Sequence, residues 1–188
     1  MNSSNPKRIV ITGGPGTGKT SLVTALEKSG RPCFHELIRT MTLDAQKNGS
    51  GKEMAINPLT FVNDPLSFNQ QLLAGRLQQF NDAHKITGPL AFYDRGMPDV
   101  LAYMDYFGQP YGPDFEGPCR EHRYDLVFML PPWKAIYVQD NERLENFEEA
   151  VDIHAALESA YRTLNYDPIE VPIGMVEERL HFINRFLD

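Results

Sequence analysis

Short unbroken apolar runs alternate along this chain with longer stretches in which apolar residues return every three or four positions. Arg8–Thr12, centred on Ile9-Val10-Ile11, and Leu90-Ala91-Phe92-Tyr93 are of the first kind, as is Tyr124–Leu130 with its five consecutive apolar residues from Leu126. Runs of this length bounded by turn residues predict strands buried on both faces. Cys33-Phe34, after the Gly30-Arg31-Pro32 stop, and Pro168–Val171 predict two shorter strands. Helical spacing covers Ser21–Lys28, a long stretch opening at Asp64-Pro65 with Leu66, Leu72, Leu73, Leu77, Phe80 and Ala83 on one stripe, and a segment from Pro98-Asp99 through Tyr103 and Met104. Two more helices follow. One starts at Asn146, where Glu149 completes a capping-box pattern, and reaches about Leu164; the other runs from about Met175 to Leu187. The Gly- and Pro-rich stretch from Gly108 to Pro118 predicts a long loop bordering a pocket, and Pro131-Pro132 ends the strand before it. Strands alternating with helices predict an α/β fold in three layers, a parallel sheet of about five strands with helices on both faces and ligands at the carboxyl ends of the strands. No internal repeat interrupts the pattern, and residues 1–188 read as a single domain.

Between the first strand and the first helix lies Gly13-Gly14-Pro15-Gly16-Thr17-Gly18-Lys19-Thr20, followed by Ser21. Gly-x-x-x-x-Gly-Lys-Thr in a strand–turn–helix context is a phosphate-binding loop. Its glycines let successive backbone N–H groups converge on phosphate oxygens beside the positive end of the helix. Lys19 is then expected to reach the β and γ phosphates, and Thr20 to place its hydroxyl on Mg²⁺. A turn that merely caps a helix has no use for Lys19 beside Thr20 after three spaced glycines.

The composition narrows the partner. Of the 188 residues, 41% are hydrophobic and 23% charged, a balance that supplies a core, and the net charge of −7 argues against broad attraction to nucleic acid or anionic membrane. A small-molecule phosphoryl acceptor fits better. Cys33 and Cys119 are too few for a disulfide framework and lack metal-ligand spacing, so a reducing, cytoplasmic location is expected. Neither a signal-peptide core nor an apolar stretch of spanning length is present, so no integral membrane association is expected; the oligomeric state stays open.

Three kinds of protein use such a loop. Hydrolytic motors place Asp-Glu at a strand end, but here Asp94 is followed by Arg95; switch GTPases read guanine with Asn-Lys-x-Asp, which is absent, and Asp105-Tyr106-Phe107-Gly108 is too loose a pattern to replace it. The third kind transfers the γ phosphate to a small acceptor, using a strand-end carboxylate, a neighbouring arginine and a lid carrying positive charge. Asp94, at the exit of the third strand, is the candidate Mg²⁺ ligand or general base, and Arg95 the candidate clamp on acceptor or phosphate. Glu36, at the exit of the second strand, is the rival base. Arg143, in a lid-like segment of about 131–147, is the candidate for balancing charge on the transferring group. Each has a plainer alternative: a strand-end salt bridge for Asp94-Arg95, a first-turn carboxylate for Glu36, a surface pair with Glu142 or Glu145 for Arg143, and a hydrophobic anchor for Trp133. A nucleotide-gated binding module, or a weak NTPase without acceptor, is the alternative at the level of function.

Ile11–Thr20, Glu36, Tyr93-Asp94-Arg95-Gly96, and Pro132-Trp133 followed by Asp140 and Arg143 together give the chain a resemblance. It resembles the small P-loop kinase-like ATPases grouped with the ribosylnicotinamide kinase domain of the bacterial nicotinamide-metabolism regulator, within a broad family of AAA-type ATPase domains. The Asp-Arg pair also resembles the strand-end signature of thymidylate and deoxynucleoside kinases, the latter with a comparable glutamate at the second strand. The resemblance implies a P-loop NTPase fold with strand order 2-3-1-4-5, a lid after the fourth strand, and ATP with Mg²⁺ as cofactors. The chain departs from the pattern after Trp133, where Lys134 to Gln139 intervene and Asn141 stands in place of a glycine. A eukaryotic branch that resembles this family is associated with GTP and phosphatidic acid, which keeps GTP and a regulatory role as alternatives.

Overall fold

The structure, a computed structural model, describes residues 5–38, 64–137 and 146–187. In chain order the elements are β1 (Lys7–Gly13), α1 (Lys19–Lys28), β2 (Cys33–Phe34), α2 (Pro65–Asp82), β3 (Leu90–Asp94), α3 (Pro98–Tyr106), α4 (Pro113–Glu121), β4 (Leu126–Leu130), α5 (Phe147–Thr163), β5 (Ile169–Glu170) and α6 (Val176–Asn184). Short 3-10 turns follow α2 at Ala83–Lys85 and β4 at Lys134–Ile136. The five strands form one parallel sheet in the order β2-β3-β1-β4-β5. β1 lies in the middle, with Ile9 opposite Phe92 on one side and Leu126 on the other.

Neighbouring residues of a strand point to opposite faces, so the continuous apolar runs feed two cores. Val10, Tyr93, Val127 and Met129 pack with α2, α3, α4 and α5, whereas Ile9, Ile11, Phe92, Phe128 and Leu130 pack with α1 and α6. The result is the three-layer α/β arrangement that the alternation predicts. Helix starts also follow the sequence signals. Asp64 accepts a hydrogen bond from the Ser67 N–H at 3.0 Å ahead of Pro65, and Asn146 and Glu149 form a reciprocal capping box with bonds of 2.9 and 2.6 Å.

The stretch expected to be a loop from Gly108 to Pro118 departs from that reading, because Pro113–Glu121 is helical with Pro118 inside it. Pro113 occupies the first turn, where a missing N–H costs nothing. Phe115 and Cys119, four residues apart on one helical face, are both fully buried, and that burial offsets the backbone bond lost at Pro118. The Asn48–Lys52 loop, and Asp140 and Arg143 of the lid-like segment, fall outside the described residues.

Candidate functional site

The carboxyl ends of β1, β2 and β3 meet where the phosphate loop turns into α1. Gly13 closes β1, Thr17 ties the turn together by donating its Oγ1 hydrogen to the Gly14 carbonyl at 3.0 Å, and Gly18 begins α1 at φ 77°. With no side chain at Gly18 to cap the helix, the first-turn N–H groups of α1 are left for an anion. Pro15 and Gly16 form the outer bend, and Thr20 and Ser21 stand exposed on the first turn.

Gly16 and Gly18 are required for two separate reasons. Both backbones are left-handed, at φ 69° and 77°, which a Cβ disfavours. A Cβ on Gly16 would also collide with the Tyr137 ring, and one on Gly18 would meet the Arg179 guanidinium at 2.8 Å. Gly30 has the same backbone, φ 81°, with nothing near its missing Cβ. Gly16→Ala is therefore expected to destabilise the fold by roughly 1–3 kcal/mol more than Gly30→Ala, the cost of pushing Tyr137 off the loop. Thermal unfolding of the two variants side by side measures the difference, and equal midpoint losses would remove Tyr137 from the picture.

Lys19, the first residue of α1, is buried beneath the loop. Its ammonium is paired with Asp94 at the end of β3 and lies 3.7 Å from Glu36 beyond β2. Burial and the nearby Arg95 cation pull its pKa below the usual lysine range, and the two carboxylates only partly counter them. Arg95 donates Nε to Glu36 at 2.5 Å and Nη1 to Asp99 at 3.1 Å. It does so from a left-handed backbone, φ 75°, while its N–H bonds the Ile11 carbonyl at 3.0 Å and continues the β1–β3 ladder past the end of β3. A non-glycine residue held there is strained, and the surrounding ion pairs keep it in place.

Glu36 is the meeting point of the cluster. Besides Arg95 it accepts a 3.1 Å bond from Arg76 of α2. Burial alone would raise its pKa, but the Arg95 and Arg76 guanidiniums and the Lys19 ammonium outweigh burial and hold the carboxyl at about 2. Asp99, in the first turn of α3, is the buried anchor behind Arg95. It accepts bonds from Thr12 Oγ1 and Tyr161 Oη, both 2.6 Å, and from the Gly96 N–H at 2.9 Å.

Lys19, Glu36, Asp94 and Arg95, chosen from sequence, are thus brought together; Arg143 lies outside the described residues. Arg76 and Asp99 were missed, and both had a signal. Arg76 sits between Leu72 and Phe80 at helical spacing, a charge on an apolar stripe, and Asp99 is one turn from Arg95. Metal-holding clusters of three or more His, Cys, Asp or Glu are absent among the described residues. Thr20 and Asp94 instead provide hard oxygen donors of the sort that bind Mg²⁺ together with phosphate oxygens and water.

Residues 8–179 match the family profile of AAA domains. The chain belongs to that AAA domain family. No curated protein sequence matches it. Among solved structures, NadR protein in complex with NR is 20% identical with a TM-score of 0.67, over 97% of this chain and 51% of that one. Deoxyadenosine kinase from M. mycoides with bound dATP is 15% identical with a TM-score of 0.64, over 97% of this chain and 100% of that one. Thymidylate kinase from Candida albicans is 12% identical with a TM-score of 0.68, over 99% and 92%. The likeness at these identities is one of fold, and it places this AAA domain among P-loop kinase folds with strand order 2-3-1-4-5. The chain spans about half the length of the NadR protein it resembles. Among the described residues no helix is long and apolar enough to cross a membrane.

Proposed function

We propose that this AAA domain is a Mg²⁺-dependent phosphotransferase that moves the γ phosphate of ATP to a small, hydroxyl-bearing, nucleoside-like metabolite. The observation that carries the reading is the single buried cluster in which the loop lysine, the strand-end Asp94-Arg95 pair and Glu36 converge. A phosphate loop built for binding alone has no need of two further carboxylates and two arginines at its mouth. The fold neighbours lend support, one being solved with NAD and AMP-PNP and another with dATP. The presence of Arg95 where a hydrolytic motor would carry a glutamate points the same way.

In this reading the backbone N–H groups of Gly14 and of residues 16–20 cradle the polyphosphate, and Lys19 transfers its ammonium from Asp94 to the β and γ phosphates. Thr20 would hold Mg²⁺, which would supply charge neutralisation at the phosphate oxygens when bound. Glu36, with both oxygens committed to guanidiniums that stay in place, holds Arg95 at the acceptor. Asp94, no longer paired with Lys19, takes the hydroxyl proton. Arg95 stabilises negative charge from beside Glu36.

The test is a broad acceptor screen with γ-labelled ATP in magnesium buffer. Label is expected on a nucleoside-like hydroxyl compound. Label released only as free phosphate across the whole screen would overturn the proposal.

A further inference from the structure

Behind the phosphate loop, on the side away from the Glu36 cluster, α6 sends a second buried arginine into the molecule. Arg179 is 2% exposed, and its Nη1 donates to the Thr17 carbonyl at 3.0 Å. Its Nε is buried with no hydrogen-bond partner, and among the described residues no carboxylate forms an ion pair with it. Burial draws its pKa below the ordinary arginine value. The contrast with the front of the loop is sharp. There Lys19, Arg76 and Arg95 are matched by Glu36, Asp94 and Asp99, so those charges balance among themselves. Among the described residues Arg179 is left over.

A buried cation without a counter-ion is costly to the folded state, and a protein retains one where something else completes it. The atom it touches indicates what. The Thr17 carbonyl and the Gly18 N–H belong to one peptide unit, and that N–H lies in the phosphate-binding bend. A guanidinium on the carbonyl oxygen polarises the peptide and makes its N–H a stronger donor toward an anion. Gly18 admits this approach, because a Cβ there would lie 2.8 Å from Nη1 and 3.3 Å from Ile136. Gly18 is thus held between the guanidinium and the segment following β4.

We propose that Arg179 is a positioning residue of the phosphate loop, fixing the Thr17–Gly18 peptide and taking the bound polyphosphate as its counter-ion. The proposal rests on the reading that the loop binds a nucleoside polyphosphate. It makes a prediction that a structural strut would not. Removing the charge should leave the ligand-free fold no less stable and should weaken nucleotide binding in proportion to phosphate charge.

Calorimetric titration of ATP, ADP and AMP in magnesium buffer, on wild type, Arg179→Met and Arg179→Lys, tests this together with the ligand-free thermal midpoints. Arg179→Met is expected to weaken ATP at least about tenfold, ADP less and AMP least, and Arg179→Lys to recover most of the loss. The ligand-free midpoint of Arg179→Met should be unchanged or higher. ATP affinity within about threefold of wild type, an equal loss for all three nucleotides, or an Arg179→Met chain that melts lower or fails to fold would each overturn the proposal. Wild type that gives no heat with ATP sinks the nucleotide reading and this proposal with it. Wild-type binding alongside an unaffected Arg179→Met variant sinks this proposal alone.

Discussion

Asp94→Asn is expected to bind ATP at least as tightly as wild type and to transfer phosphate about a hundredfold more slowly or worse. The two effects separate because Asp94 has two different partners at two stages. In the structure its carboxylate holds the Lys19 ammonium, so nucleotide must draw the lysine away from an anion before the lysine reaches phosphate. An amide in place of that carboxylate gives up the lysine more readily, which favours binding. During transfer the same carboxylate is the proposed proton acceptor, and an amide cannot take a proton at neutral pH. Loss of a positioned base slows a reaction by about 10²–10⁴-fold. Glu36 does not replace it. Arg95 and Arg76 stay on Glu36 and hold its pKa at about 2, far below what a useful proton acceptor needs near neutrality. Titration calorimetry with ATP and initial rates with the acceptor found in the labelled screen measure the two halves. A rate within about threefold of wild type would remove Asp94 from the base role.

The sheet and the phosphate loop were legible in the sequence for a physical reason. Strands buried on both faces need unbroken apolar runs, and an anion nest needs glycines at fixed offsets, so both leave marks within a few adjacent residues. Strand order came from resemblance alone, since which strand lies beside which depends on contacts distant in sequence. Local readings failed where tertiary burial overrode composition. Gly112, Pro113, Gly117 and Pro118 read as a loop, yet Phe115 and Cys119 draw the segment into a helix by filling the core beside α3. The candidate residues were readable at the ends of strands, where Asp94 and Arg95 follow directly on an apolar run and Glu36 stands just past the short strand Cys33-Phe34. Arg76, Asp99 and Arg179 were not found because they approach from helices. A charged residue on an apolar stripe was present at Arg76, between Leu72 and Phe80, and at Arg179, between Val176 and Ile183. Such a residue is expensive to bury, so its position on the stripe is itself a sign that it meets a partner inside.

Glu36→Ala is expected to be the most destabilising single change in the site, by about 3–5 kcal/mol, the scale for removing one partner of a buried ion pair. Its loss strands more than one charge. Arg76 is 2% exposed, its Nε and Nη1 are already buried without partners, and Glu36 accepts the bond from its remaining nitrogen. Arg95 keeps Asp99 but loses the bond at Nε, and its left-handed backbone loses one of the contacts that hold it there. Lys19 keeps Asp94 and is affected least. Glu36→Gln should cost less, because an amide oxygen still accepts one guanidinium bond. The dependence on pH has a definite sign. The carboxyl titrates at about 2 in the folded chain and near 4.5 when exposed, so its stabilising contribution is complete above about pH 4.5 and is lost as pH falls toward 2. The stability gap between wild type and Glu36→Gln, from urea denaturation at a series of pH values, should therefore be constant near neutrality and shrink over that acid window. A gap that does not change down to pH 2 would mean that the carboxylate is not held by the two arginines. A Glu36→Ala chain within about 1 kcal/mol of wild type at neutral pH would mean the same, and the mouth of the phosphate loop would then owe its order to the Asp99 anchor and to the packing of α3 against α5.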